Sequence, residues 1–296
     1  MLTADGAVAL TVGAPAEPVF PRSSNKPIQA AAMLSCGLDL TGELLALAAA
    51  SHSGEDFHVA GVRKILAGAG LTPDALQCPP DLPMDEAAQR RLLRDGGGPD
   101  RLHMNCSGKH AAMLATCVAV GWPTVSYRDP AHPLQVEIRR ALEDLAGERV
   151  AAAGVDGCGA PLFAISLIGL ARAFRALVRG APDAPERRVA DAMRAHPEWT
   201  SGSTRPERAL MAAVPGLLLK SGAEGVEAFA LPDGRAAAFK IDDGAQRARP
   251  AVTLALLRAL GTDQDLLAGL GALAAPPVLG GGRVVGQIRV KIPTDS

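Results

Sequence analysis

Residues 216–241 read GLLLKSGAEGVEAFALPDGRAAAFKI, and this stretch decides the fold class. Gly216 to Lys220, Gly225 to Leu231 and Arg235 to Ile241 are short apolar runs of strand composition, and Pro232-Asp233-Gly234 between the last two is a hairpin signal. A sheet is therefore predicted in the last third of the chain. Val284 to Ile292, where Val and Ile alternate with polar residues, offers a further strand, and Ala7 to Val12 a strand-like stretch near the beginning. Between them the apolar spacing is helical: Ile28 to Leu34, closed by Gly37; Leu44, Leu45 and Leu47 after Thr41; and Val59, Val62, Ile65 and Leu66 behind a capping-box-like Ser53 and Asp56. Further helices are expected over Glu86 to Arg94, through Met113, Leu114 and Val118, and over Pro133 to Leu145. Another is expected after Pro161 through Phe163, Leu167, Leu170 and Phe174, and two more between Pro250 and Leu273. Pro79 to Pro99, rich in Pro, Gly and Asp around its one helix, reads as a surface excursion. Strands near both ends and a helical middle predict one α/β domain over residues 1–296.

The chain is 48% hydrophobic and 21% charged, enough over 296 residues to bury a sizeable core. A net charge of −1 and a pI near 6.6 supply no basic excess for phosphates, which argues against nucleic acid or an anionic membrane surface as partner. Only 3% of residues are aromatic, leaving little surface for base stacking. No apolar run reaches bilayer length, and MLTADGAVAL lacks the charged and long apolar regions of a signal peptide, so a cytoplasmic location is expected. The remaining expectation is a small-molecule partner.

Ser23-Ser24-Asn25-Lys26 is S-x-x-K at a helix start, where one turn brings a hydroxyl and an amine to one face. A neutral lysine there can take the serine proton, but Ser at a helix cap followed by Lys is also a common structural pattern. Lys220-Ser221-Gly222 at a strand end resembles the K-T-G element that accompanies S-x-x-K in penicillin-interacting enzymes, and Ser51-His52-Ser53 offers a middle element. Two converging lysines would lower each other's pKa, which gives paired Ser and Lys residues a physical purpose. Of the five cysteines, Cys106 and Cys158 lie in polar, Gly-rich settings suited to reactivity or ligation, while Cys36, Cys78 and Cys117 have apolar neighbours. Two thiols alone do not specify a metal. There is no H-E-x-x-H and no G-x-S-x-G.

Taken in order, PRSSNKPIQA (21–30), ASHSGEDFHVAGVRKIL (50–66), HMNCSGKHAAML (103–114), DGCGAPLFAISL (156–167) and LLLKSGAEGVEAFALPDG (217–234) resemble the bacterial asparaginase II family of the inducible rhizobial type. The resemblance runs from about Pro21 to Ala248. It implies hydrolysis of L-asparagine to L-aspartate and ammonia by a homodimer, on a fold similar to serine β-lactamases and glutaminases. By motif it implies Ser23 and Lys26 as nucleophile and base, and Ser51 with Lys220 as a second pair. It further implies Arg22, His52, Asp156 and Glu224 around the substrate, with Asp156 on the α-amino group, and zinc held by Cys106, Lys109 and Cys158. Two alternatives stay open: a glutaminase or penicillin-interacting serine hydrolase, and a catalytically idle protein that binds zinc or an amino acid. Fewer residues precede R-S-x-x-K than the family pattern has, so an edge of the sheet or part of the pocket rim is expected to be missing.

Overall fold

Every second side chain of a strand points to the same face, and in the strands of residues 217–240 both sets are mainly apolar, so both faces of this sheet must be covered. The computed structural model, which describes residues 1–293, shows how. In chain order its elements are β1 (Pro18–Val19), α1 (Lys26–Ser35), α2 (Gly42–Ala48), α3 (Asp56–Gly68), α4 (Glu86–Arg94), α5 (Ser107–Val120), α6 (Pro133–Ala146), β2 (Ala152–Val155), β3 (Pro161–Ser166), α7 (Leu167–Arg179) and α8 (Pro185–Ala195). There follow α9 (Pro197–Thr200), α10 (Pro206–Ala213), β4 (Leu218–Ser221), β5 (Val226–Ala230), β6 (Ala236–Lys240), α11 (Arg249–Ala259), α12 (Gln264–Ala268), α13 (Gly271–Ala274), β7 (Pro277–Gly280) and β8 (Arg283–Gln287).

Strands β4, β5 and β6 form an antiparallel sheet in sequence order, with Lys220 opposite Ala228. Leu218, Val226, Ala228, Ala230 and Ala236 face a large helical core that includes Ile28, Leu47, Met113 and Phe174. Leu219, Phe229, Leu231 and Ala237 face a second core built on Leu210, Met211, Leu254 and Leu257 of α10 and α11. The sheet is thus a middle layer between helices, as expected for the α/β class. The alternation also sends Lys220 to the first face and Ser221 and Glu227 to the second. Leu2 exchanges backbone hydrogen bonds with Ala236, at 2.7 and 3.2 Å, and so extends the sheet past β6.

Helix α4 occupies its expected span, capped by Asp85, whose carboxylate accepts from Ala88 N at 2.8 Å. Several expectations need correction. Residues 161–166, expected within a helix, form strand β3, buried at every position and flanked by β1 and β2 in a second antiparallel sheet. A short continuous apolar run has no period that distinguishes strand from helix. The helix begins after Ser166, whose hydroxyl accepts from Gly169 N at 2.9 Å. Near the beginning of the chain, the strand-like Ala7 to Val12 makes only the bridge from Val8 to Leu2. At the start of α3, the capping box is made by Glu55 and His58, while Ser53 Oγ donates to Ser201 O at 2.8 Å. The late strand ends at Gln287 and, among the described residues, pairs only with β7, in a hairpin outside the main sheet, with all of β8 exposed. No helix among the described residues is long and apolar enough to cross a membrane.

Candidate active site

Arg22–Asn25 forms a 3-10 turn that runs directly into α1, with Ser24 Oγ donating to Pro21 O at 2.6 Å. The end of β4 is pressed against this turn: a Cβ on Gly222 would lie 2.5 Å from Pro21 O. Only glycine permits that approach, which gives the K-S-G element its third residue. Gly108 does the same on α5, where a Cβ would lie 2.6 Å from Leu47 O of α2. Because of this close packing, α1, the loop after α2, α5 and β4 bring their polar residues to one place.

Ser51 stands at the centre. Lys26 Nζ donates to Ser51 Oγ at 3.1 Å and Lys220 Nζ does so at 2.8 Å. Lys26 also donates to Ala50 O at 2.7 Å and to Cys106 Sγ at 3.1 Å, and Lys220 to Ser221 O at 2.8 Å. Both lysines are buried, and neither forms an ion pair with a carboxylate among the described residues. Burial, and then the charge of Lys26, push the pKa of Lys220 well below that of an ordinary lysine. Ser23 is half-buried one turn ahead of Lys26, and among the described residues its hydroxyl has no hydrogen-bond partner. Sequence spacing pairs Ser23 with Lys26; the folded chain gives the direct contact with Lys26 to Ser51.

Arg22 links two acids, with Nε 2.8 Å from Asp156 Oδ1 and Nη1 3.0 Å from Glu224 Oε2. Asp156 Oδ1 also accepts from Gly157 N at 2.9 Å, while Oδ2 has no partner among the described residues. Two carboxylates around one guanidinium leave net negative charge beside Ser23. His52 is buried, and both of its ring nitrogens are engaged: Nδ1 accepts from Gly54 N at 3.1 Å and Nε2 lies 2.8 Å from Ser107 Oγ. An accepting Nδ1 puts the ring proton on Nε2, and burial pushes the pKa of this ring well down, so it is a neutral brace between the Ser51 loop and α5.

Cys106, Lys109 and Cys158 meet behind Ser51. Lys109 Nζ donates to Cys158 Sγ at 3.1 Å, and Cys106 Sγ donates to Asn105 Oδ1 at 2.9 Å. The two buried sulfurs are coupled: the thiol of Cys106 is pushed up and that of Cys158 is pulled down, in each case first by the other sulfur. Burial opposes charge on Lys109, but the adjoining sulfurs outweigh it and keep the amine protonated. His110 and Tyr127, which sequence reading passed over, pack against this group. Their only signal in the sequence is that His110 follows Lys109 and that Tyr127 is the one tyrosine.

The family model for L-asparaginase II matches residues 1–290. The chain belongs to this family. Membership supports an amidohydrolase of the asparaginase type acting on a small molecule. No curated protein matches the sequence.

Proposed function

We propose that the chain hydrolyses L-asparagine to L-aspartate and ammonia by acyl transfer through paired Ser-Lys groups, on a fold of the serine β-lactamase and glutaminase kind. The observation that carries this reading is the Ser51 hydroxyl held between two buried lysines that pair with no carboxylate among the described residues. Ser23 attacks the side-chain amide carbon, and its proton passes through Lys26 and Ser51 to the neutral amine of Lys220. That proton then returns to the departing ammonia, and water cleaves the acyl-enzyme using the same base. The free Oδ2 of Asp156 takes the α-ammonium, with Arg22 holding Asp156 and Glu224 in place.

Cys106, Lys109 and Cys158 would hold a zinc ion. Their chemistry fits: two buried sulfurs are coupled, the thiol of Cys158 being pulled down, and an amine lies 3.1 Å from that sulfur. No group of three His, Cys, Asp or Glu side chains able to hold a metal occurs among the described residues, so Lys109 has to serve as the third donor and must give up its proton to do so. When bound, zinc supplies a fixed positive charge that organises the substrate pocket. In this reading the protein works in the cytoplasm as a homodimer.

A second reading, with Ser51 as nucleophile, is favoured by its 2.8 Å contact with Lys220. Ammonia release by Ser23→Ala and Ser51→Ala, with mass analysis of the acylated serine, separates the two. Ser23→Ala is expected to lower kcat by at least about 100-fold and to abolish acylation. Acylation of Ser51 in that variant transfers the role to Ser51. Turnover of glutamine or of a chromogenic β-lactam in preference to asparagine would replace the substrate assignment.

A further inference from the structure

Tyr127 and His110 are among the buried polar residues to which the catalytic reading gives no task. Both are fully buried, with Tyr127 Oη 2.6 Å from His110 Nδ1 and the rings meeting edge to face. Tyr127 is fixed from two sides: its hydroxyl oxygen accepts from Gln77 N at 3.1 Å, and its carbonyl accepts from Gln135 Nε2 at 2.7 Å. The phenolic proton then has one acceptor among the described residues, His110 Nδ1. Accepting there leaves the single proton of the neutral imidazole on Nε2. That nitrogen is buried and lacks a hydrogen-bond partner among the described residues, and the ring lies beside Cys158. The opposite tautomer would strand the phenolic proton in the core and leave Nε2 as a bare lone pair, so two buried groups would go unsatisfied.

We propose that His110 is a positioning residue for Cys158, its Nε2–H directed at the Cys158 sulfur and its tautomer fixed by Tyr127. This rests on the reading of Cys106, Lys109 and Cys158 as the residues that hold zinc. Without metal, Lys109 donates to Cys158. An amine that turns to a metal can no longer do so, and His110 then becomes the donor that orients this sulfur and disperses its charge. Donors of this kind, one bond removed from a metal, typically change affinity by about 10- to 100-fold when lost.

The test is zinc affinity, measured by chelator competition on the full chain for wild type, His110→Phe, His110→Gln and Tyr127→Phe. His110→Phe is expected to weaken zinc binding by about 10- to 100-fold. His110→Gln, whose amide N–H can occupy the place of Nε2, should restore most of the loss, and Tyr127→Phe should weaken binding by a smaller factor because the tautomer is released. The cobalt-substituted proteins should keep the same sulfur-to-metal absorption bands in every variant. A changed coordination spectrum in His110→Phe makes His110 a direct ligand and overturns the proposal. So does unchanged affinity in His110→Phe or, should that variant fail to fold, in Tyr127→Phe. Absence of zinc binding by wild type overturns the metal reading itself.

Discussion

Lys220 and Ser221 are consecutive residues of β4 that face opposite sides of the central sheet, and the two sides treat buried charge differently. On the inner side Lys220 and Lys26 are surrounded by a hydroxyl, backbone carbonyls and a thiol. On the outer side Arg249 lies 2.7 Å from Glu227 and 3.3 Å from Glu207, Arg205 is 3.3 Å from Glu207, and Thr253 donates to Glu227. Burial pushes Glu207 up, but Arg205 and Arg249 overcome it and hold its pKa at about 2. The outer cluster matches acids with bases and ties α10 and α11 to the sheet. Among the described residues the inner one gives its lysines no carboxylate partner, and burial together with the charge of Lys26 pushes the pKa of Lys220 well below the ordinary lysine range.

The largest effect expected from this contrast is on the inner side. Lys220→Met should lower kcat by about 100- to 10,000-fold while leaving the melting temperature equal or higher, because it removes a buried amine that has no carboxylate partner among the described residues. Ammonia release and a thermal melt check the two halves; unfolding of this variant would break the comparison. In wild type, activity should rise with pH as Lys220 loses its proton and persist at mildly alkaline pH, since burial and Lys26 bring that loss below the ordinary lysine range. A rate that peaks in acid and vanishes in base contradicts a lysine base.

The outer cluster should behave in the opposite way. Arg249→Met takes the cation from buried Glu227 and leaves buried Glu207 with Arg205 alone, and is expected to cost about 3–5 kcal/mol in urea denaturation, with kcat of the folded protein changed little. A variant as stable as wild type would falsify the structural role of the cluster.

The smallest effect concerns Glu227, whose pKa burial raises from 4.5 to about 7 against the pull of Arg249. Through that window the folded chain keeps a proton that the unfolded chain has released, so the contribution of Glu227 to stability falls as pH rises. Glu227→Gln removes this term. Between about pH 5 and about pH 8 the variant should lose less stability than wild type, and parallel melting curves across that range sink the assignment.

Local signals in the sequence reached far in some regions and stopped short in others. Helix α4 was legible between flanking Pro-, Gly- and Asp-rich segments, and the strands β4, β5 and β6 from short apolar runs and a Pro-Asp-Gly turn written into adjacent residues. Strand β2, with four residues of mostly exposed Ala, Gly and Val, carries no such pattern and is defined by its pairing with β3. The outer cluster was equally invisible: Glu207, Glu227 and Arg249 are far apart in the chain and look like ordinary surface charges until a sheet and two helices bury them.

The sequence by itself determined which groups this protein would assemble. The S-x-x-K and K-S-G patterns single out Ser23, Lys26 and Lys220, Ser51 offers a middle element, and polar, Gly-rich settings single out Cys106 and Cys158, while the joining of all these with Lys109 into one site is what the family resemblance implies. Only the tertiary structure decided which of them touch. It placed Ser51 rather than Ser23 between the lysines, gave Arg22 to Asp156 across 134 residues, and set Tyr127 on His110 beside Cys158. The physical reason is that hydrogen bonds and charge coupling act over a few ångströms, whereas sequence patterns record only neighbours along one strand or one helical turn.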